Sequence, residues 1–309
     1  MISLRQHAIS IAAIFLALAV GVVLGSTALS DSVLSGLGSE KKELQQEVRD
    51  LEAENGRQAG QLDSAGAFDD AMAGRIVDGV LDERPVVLFT TPTAAPGDVD
   101  AVVEMIDRSG GSVSGRVGLT EAFVESSGTD QLRGAVTNVV PAGVELSTAS
   151  TDSGSMAGDL IGAVLLLDRE TVEPQSTPEE RELALQTLRS GGFIEYQDGA
   201  VAPGQVAVVV TGGEEGEDAN HGAVVARFAG GLDSRGAGTV LAGATGSAEG
   251  NGALAVVRND PALAARLSTV DNIEYPAGRI TTVLALAAEL DDRTGQYGTG
   301  PGATEVTVG

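Results

Sequence analysis

Few side chains in this sequence have the type and spacing that chemistry requires. The chain contains no cysteine, and its histidines are His7 and His221. Soft metal ions prefer thiolate, thioether and imidazole ligands, so the candidate ligands are His221, Met105 and Met156. Hard cations could bind weakly to the carboxylates of residues 214–218 beside His221, although a solvated acidic loop is the simpler interpretation. Because the soft ligands are scattered along the chain, the sequence predicts no preorganised metal site.

Motifs for enzymatic catalysis are also missing. Nucleophilic catalysis would need a reactive cysteine or a G-x-S-x-G turn, and neither occurs. No lysine follows Lys42, which excludes a phosphate-binding loop that ends in Gly-Lys. The Gly236-Ala237-Gly238 sequence lacks the third glycine of a dinucleotide-binding fingerprint. We therefore expect a protein that is not an enzyme, and an enzyme that uses a pair of acids stays an alternative.

The charge balance bears on possible partners. The 309 residues carry a formal net charge of -25, and the only lysines are Lys41 and Lys42. Without a basic stripe to neutralise phosphates, the sequence argues against nucleic-acid binding. Because the chain has no cysteine, its fold depends on a hydrophobic core and not on disulfide bonds.

The elements that position these residues begin with an apolar segment near the N-terminus. Residues 8–25 are almost wholly aliphatic, and the charged residues nearest to them are Arg5 and Asp31. At about 1.5 Å per residue, a helix over residues 8–29 is about 33 Å long. The hydrocarbon core of a bilayer is about 30 Å thick, so the sequence predicts a single transmembrane helix over residues 8–29.

The flanking residues suggest an orientation for this helix. Arg5 precedes the apolar segment, which favours a short cytoplasmic N-terminus over residues 1–7 and an extracytoplasmic body. The predicted location is therefore the plasma membrane, with the body of the chain in the cell envelope. A cleaved signal peptide is the alternative, since Ser26, Thr27 and Ala28 are small residues at a plausible cleavage site.

Residues 30–84 are predicted to form a linker and a coiled-coil helix. A short Gly/Ser linker at residues 35–39 is followed by apolar residues in a three-four rhythm. Because one narrow apolar stripe needs a partner, we expect a homodimer, and the alternative is a helix that lies back along its own globular domain. Gly56 and Gly60 weaken the helix by about 1 kcal/mol each. The predicted dimerisation residues are Leu37, Leu44, Val48, Leu51 and Asn55, and Asn55 would help to fix the register.

Residues 85–290 show strands and helices in alternation. Residues 86–90 and 206–211 are short apolar runs without polar alternation, as expected of strands covered on both faces. We expect them to be central parallel strands that are adjacent or near-adjacent. The other predicted strands include residues 239–242 and 253–257. The fold class is therefore α/β, a three-layer domain with a mostly parallel sheet.

The edge of this sheet is where a ligand site would be expected. Parallel sheets bind ligands at the carboxyl ends of their strands, which places a candidate site at the loops of residues 90–97 and 212–217. Neither loop contains a recognisable motif. Residues 291–309 are predicted to be a Gly-rich C-terminal tail outside the domain.

Four segments together carry a family resemblance. They are MISLRQHAISIAAIFLALAVGVVLGS at residues 1–26, GRIVDGVL at Gly74, VVLFTTP at Val86 and GQYGTGPGA at Gly295. In these segments the chain resembles the MctB-like copper-transport proteins of mycobacteria and corynebacteria, some of which are SteB-like in corynebacteria. The resemblance implies an actinobacterial envelope protein, with copper as a possible ligand, an outer-membrane or copper-efflux label, and a role in cell separation for the SteB-like members. It supplies no catalytic residues.

The residues do not fit the implied functions equally well. An outer-membrane barrel needs repeated alternating strands, whereas this chain has one apolar helix, a coil and non-alternating strands. Ser10 is the one polar side chain between Ala8 and Gly25, so this helix would line a water-filled pore poorly. We therefore expect a membrane-anchored dimeric scaffold or regulator that recruits envelope or cell-separation proteins. Copper efflux or a role as a channel component is the alternative.

Overall fold

A computed structural model describes the backbone of residues 4–147, 151–213 and 220–309. Side chains are described for the same ranges except residues 4 and 26–40. The predicted acidic loop at residues 214–218 and the side chain of Leu37 therefore lie outside the described part. The chain divides into two compact units, Met1–Ala65 and Gly66–Gly309, each of which is described by itself.

The first unit consists of most of helix α1, Leu4–Val77. Its segment Arg5–Gly25 is long and apolar enough to cross a membrane by length and composition, and none of it is buried within the protein. Residues 35–39, predicted as a linker, are helical instead. Extending an existing helix is favourable once a turn has formed, so two glycines and two serines there do not interrupt it.

The second unit is built on a seven-stranded sheet with the order β3-β2-β1-β4-β5-β6-β7. Strand β3 is antiparallel to β2, and the other neighbouring strands are parallel. The strands are β1 Pro85–Thr90, β2 Ser112–Leu119, β3 Ile194–Glu195, β4 Val206–Thr211, β5 Thr239–Gly243, β6 Ser268–Val270 and β7 Gln296–Tyr297. The predicted α/β class with a mostly parallel sheet is confirmed.

Helices cover both faces of this sheet. Helix α6 begins with a capping box, in which the Glu180 backbone N–H donates to Thr177 Oγ1 at 3.3 Å and the Thr177 N–H donates to Glu180 Oε2 at 3.0 Å. The helices after α1 are α2 Pro96–Arg108, α3 Glu121–Val124, α4 Thr129–Thr137, α5 Ser153–Leu165, α6 Pro178–Ser190, α7 His221–Asp233, α8 Ala253–Asn259, α9 Pro261–Ala264 and α10 Pro276–Leu290.

The two faces of the sheet belong to separate hydrophobic cores. Along β1, Val87 and Phe89 face the core formed with α3 to α9, where Phe89 packs edge-to-face on Phe228. Val86 and Leu88 face the core formed with α2, α10 and the end of α1. The alternation follows from the two-residue period of a strand, and both sets of side chains are fully buried.

The end of α1 belongs to the second unit, which begins before the predicted domain boundary at residue 85. Ala73 and Val77 are fully buried in the core shared with α2. The Arg108 guanidinium on α2 also donates to Asp70, through Nη1 to Oδ1 at 3.2 Å and through Nη2 to the carbonyl at 3.1 Å. The last turns of α1 are therefore part of the globular fold.

Two further predictions can be compared with the strands themselves. Strands β1 and β4 are adjacent and parallel, with Val86 opposite Val206, as expected. Residues 253–257, predicted as a strand, instead form helix α8. A five-residue aliphatic run does not distinguish a strand from a helix buried on most sides, and α8 packs against α7. The predicted tail contributes β7 to the sheet.

Candidate functional site

The two loops predicted to form a site do meet at the carboxyl ends of β1 and β4. Thr91 and Thr93 follow β1, and Thr211 ends β4. The Thr91 hydroxyl donates to Thr211 Oγ1 at 3.0 Å and lies 3.0 Å from Thr93 Oγ1. The Gly212 backbone N–H donates to Thr93 Oγ1 at 3.2 Å. These hydroxyl groups bond to one another across the position where an α/β sheet usually opens to a ligand.

Glycines close this edge further. A β-carbon at Gly212 would collide with the Thr93 carbonyl, and one at Gly213 would collide with the Thr245 carbonyl. The loops after β1, β4 and β5 therefore pack backbone against backbone. In the described part of the chain, this edge is filled by the protein itself, and the continuation at residues 214–219 lies outside that part.

The carboxyl end of β6 is filled by the C-terminal segment. Asp271 follows β6, and its Oδ1 and Oδ2 accept hydrogen bonds from the backbone N–H groups of Thr299 at 2.7 Å and Gly300 at 3.0 Å. Gly298 has a φ of +122°, and a β-carbon there would collide with the Asp271 carboxylate. Gly298 and Gly300 of the GQYGTGPGA segment therefore both lie against this buried acid.

A buried arginine completes this arrangement. Arg258 on α8 forms an ion pair with Asp271, with Nη1 and Oδ2 2.8 Å apart and side-chain exposures of 2% and 3%. Its Nη2 donates to the Tyr297 carbonyl at 2.7 Å, and its Nε donates to Thr269 Oγ1 at 2.9 Å. Several hydrogen bonds are needed to offset the desolvation of two buried charges, and this pair has them. We call Arg258 and Asp271 the tail clamp.

The candidate metal ligands are not brought together. Met105 on α2 is 2% exposed and belongs to the core with α10, whereas Met156 on α5 packs against the core on the opposite face of the sheet. His221 at the start of α7 is 7% exposed, and its buried Nε2 has no hydrogen-bond partner among the described residues. Within those residues, no three His, Cys, Asp or Glu side chains are grouped as a metal site.

Two acids are buried at the opposite, amino edge of the sheet. Burial raises the pKa of Asp233 to about 6, against the lowering effect of Arg266. Burial, together with the charge of Asp233, likewise raises the pKa of Glu289 to about 7, against the lowering effect of hydrogen bonding with Ser268. Their carboxylates accept hydrogen bonds from the first backbone N–H groups of β5 and β6, Thr239 at 3.1 Å and Ser268 at 3.1 Å. These acids therefore accept the hydrogen bonds of backbone N–H groups at the amino ends of β5 and β6.

A groove of about 850 Å³ runs along β2 beside α2. Leu88, Val99 and Val103 supply apolar surface, and Arg116 and Tyr196 are among its polar lining residues. The lining contains no histidine or cysteine, and its acids are Asp107 and Glu195.

Sequence reasoning missed the tail clamp and the buried acids at the amino edge. Arg258 precedes Asp271 by a turn, a short helix and a strand, and Asp233 and Glu289 lie on helices far apart in the chain. Nothing in the spacing of these residues distinguishes them from surface charges. The one local signal for a closely packed tail is the glycine density at residues 295–302.

Together these features define a class of protein. It is an α/β domain that follows one N-terminal helix of membrane-spanning length, and the described residues at the usual ligand edge of its sheet pack against one another. Many families of proteins share these features, so the fold by itself does not identify the family.

Comparison with known proteins identifies the family. Residues 1–308 match the family described as "Copper transport outer membrane protein, MctB". The chain is 46% identical over 315 residues to the copper transporter MctB of Mycobacterium leprae. This alignment covers 100% of the chain and 99% of that protein. It is also 46% identical over 312 residues to the copper transporters MctB of Mycobacterium bovis and Mycobacterium tuberculosis, with the same coverage. The chain belongs to the MctB family.

Family membership confirms the resemblance found in the sequence. The family description and the N-terminal helix together fit a membrane-associated envelope protein. The relatives are named as copper transporters and not as enzymes.

The contact between Gly298 and Asp271 leads to a first prediction. Replacing Gly298 with alanine should lower the free energy of unfolding by about 2–4 kcal/mol, because a left-handed φ and a collision with the tail clamp both oppose the β-carbon. Denaturant unfolding of the full chain in detergent, followed by circular dichroism, measures the change.

The matched control is Gly134→Ala in the interior of α4, where a β-carbon meets nothing within 4 Å. This variant should be unchanged or more stable by up to about 1 kcal/mol. Equal stability of the two variants would show that the tail does not pack on Asp271.

The raised pKa of Glu289 predicts a pH-dependent stability. An acid with a raised folded pKa contributes most below its unfolded pKa, and this contribution is lost as the pH rises through the folded pKa. For Glu289 the loss falls between the ordinary value of 4.5 and about 7. Glu289→Gln should therefore reduce the fall in unfolding free energy between pH 5 and 8 by about 1–3 kcal/mol.

Denaturant titrations of the full chain at several pH values across this range measure the effect. Glu104→Gln, at an exposed position on α2, is the control and should follow the parent profile. A Glu289→Gln profile parallel to that of the parent would mean that the carboxyl group is hydrated in solution.

Proposed function

We propose that this protein is a non-enzymatic, membrane-anchored member of the MctB family that dimerises through its long helix and presents its α/β domain to envelope or cell-separation partners. The observation that carries the proposal is a row of exposed apolar side chains along α1. Large apolar residues in water at regular spacing on a helix are typical of an unpaired interface.

The row has the geometry of a two-stranded coiled coil. With Leu44 and Leu51 at d positions of the heptad, Val48 and Asn55 fall at a positions. Leucine at d with a β-branched residue at a favours a parallel dimer, and an asparagine at a fixes the register. Leu44, Val48 and Leu51 are 61%, 52% and 57% exposed, so each is available to a partner.

The polar face of the same helix is satisfied locally. Gln46 Nε2 donates to Asp50 Oδ1 at 2.9 Å, and Arg49 Nη2 donates to Gln46 Oε1 at 2.6 Å. Such pairs support the helix but leave the apolar row uncovered. Full burial of one leucine or valine contributes about 1.5–3 kcal/mol, so pairing of two helices along this row would be favourable.

The proposed membrane topology strengthens this association. With the N-terminus in the cytoplasm and Arg5–Gly25 in the bilayer, two copies are confined to a plane, which raises their effective concentration. A coil that is weak in solution can then be dimeric in the membrane. Gly56 and Gly60 in its distal half are consistent with a soft coil.

The absence of cysteine allows a direct test by disulfide cross-linking in membranes. A single Leu51→Cys substitution places the thiol in the proposed seam, whereas Ala53→Cys, two residues further on, lies on the opposite side of the helix. With diamide as oxidant, we expect a covalent dimer from Leu51→Cys and little from Ala53→Cys.

Two outcomes would contradict the coiled-coil dimer. The first is equal cross-linking at both positions, which indicates random collision. The second is no dimer from Leu51→Cys although the full chain sediments as a dimer, which would move the interface to the α/β domain.

Copper transport is the second candidate, and the names of the relatives favour it. In this view copper is the cargo. The described residues supply few ligands for copper. Thioether and imidazole groups suit Cu(I), but Met105 and Met156 lie on opposite faces of the sheet. Among the described residues, His221 supplies the one imidazole nitrogen that is buried without a hydrogen-bond partner.

We therefore predict only weak copper binding by the full chain in detergent. Titration of Cu(I) against a chromophoric competitor should show no stoichiometric site of submicromolar strength, and His221→Ala, Met105→Leu and Met156→Leu should not change the curve. Tight stoichiometric binding that is lost in these variants, together with lost copper tolerance of cells, would favour transport over the scaffold function.

A further inference from the structure

A small polar cleft of about 200 Å³ lies between α4, α5 and α7. Two arginines, Arg133 on α4 and Arg227 on α7, line it. Ser126, Thr129, Ser153 and Asn220 add hydroxyl and amide groups to the same lining. Pockets for drug-sized ligands have volumes of about 300–1,000 Å³. This cleft is smaller, so it suits a small chemical group.

The arginines of this cleft are poorly neutralised. Arg227 is exposed and forms no ion pair or hydrogen bond with the side chains and backbone that the structure describes. Arg133 is paired at 3.4 Å with Asp130, whose side chain is 95% exposed, and such surface pairs are weak. The Nε of Arg133 is buried without a hydrogen-bond partner among the described residues. An unsatisfied buried donor is costly unless a ligand or water supplies the acceptor.

The carboxylate in the lining is engaged elsewhere. Asp152 is the N-cap of α5, and its Oδ1 accepts from the Ser155 N–H at 2.9 Å while its Oδ2 accepts from the Ser155 hydroxyl at 2.8 Å. Both oxygens therefore serve the first turn of α5. Among the described residues, the cleft is lined by two guanidinium groups and one carboxylate, in a chain whose net charge is -25.

The start of α5 adds to this bias. This helix has 13 residues, and its first residue, Ser153, lines the cleft. The N-terminus of a helix carries partial positive charge, which favours an anion nearby. Its contribution supplements the two guanidinium groups and would not define a site without them.

We propose that this cleft binds a phosphate group. Guanidinium groups match the oxygens of phosphate in two-point hydrogen bonding, and hydroxyl and amide donors complete the coordination of a tetrahedral oxyanion. The phosphate comes either from the free ion or from a phosphate ester in an envelope molecule. Its binding does not depend on dimerisation through α1.

Isothermal titration calorimetry of the full chain in detergent tests this site, with inorganic phosphate as the probe and chloride at matched ionic strength as the reference. We expect saturable phosphate binding with a dissociation constant below about 1 mM. Arg227→Gln and Arg133→Gln should each weaken binding about tenfold or more, since each removes a charge-assisted hydrogen bond.

Arg75→Gln is the matched control. Arg75 is exposed on α1 and also forms no ion pair with the described residues, so this variant loses the same charge away from the cleft. Its phosphate affinity should equal that of the parent. Glycerol phosphate is titrated in parallel, and tighter binding than inorganic phosphate assigns the site to an ester.

Three outcomes would overturn the proposal. They are no saturable binding of either probe, equal losses in Arg227→Gln and Arg75→Gln, and binding that disappears when ionic strength is matched. Circular dichroism of each variant establishes that a lost signal does not come from unfolding, and Arg227, exposed and without ion pairs to the described residues, is the safest position for this purpose.

Discussion

The structure depends on the burial of β1 and β4 on both faces. All six residues of β4 are buried, and Val86 and Leu88 of β1 face a different core from Val87 and Phe89. A sheet with apolar side chains on both faces must be covered by helices on both faces. This constraint separates Met105 from Met156 by the thickness of the sheet, and it restricts polar chemistry to the strand ends and helix junctions.

Much of the fold was predictable because these strands carry a local signal. Residues 206–210 are uninterrupted aliphatics, and the Thr177 capping box marks the start of α6. Residues 253–257 carry a similar apolar run but form helix α8, since a short aliphatic run is compatible with either a buried strand or a buried helix. Strand β7 has only two residues, and its place depends on Asp271 and Arg258, which no local pattern connects.

The candidate sites were less predictable than the fold. The loops after β1 and β4 could be expected to meet, since adjacent parallel strands end at one edge, and Thr91 does contact Thr211. Whether that edge is open depends on backbone contacts such as that of Gly212 with Thr93, which composition does not reveal. Arg133 and Arg227 line the same cleft because α4, α5 and α7 pack together. Their separation in the sequence gives no sign that they are close in the fold.

The membrane segment constrains both candidate functions in the same way. Arg5–Gly25 is one apolar helix, with Ser10 as its polar side chain between Ala8 and Gly25, and one such helix cannot enclose a water-filled path. Any route for copper through this segment would require several copies to associate. A scaffold that presents paired domains requires association as well. Association of copies is therefore common to both proposed functions, and the exposed row at Leu44, Val48 and Leu51 is the surface that we propose for it.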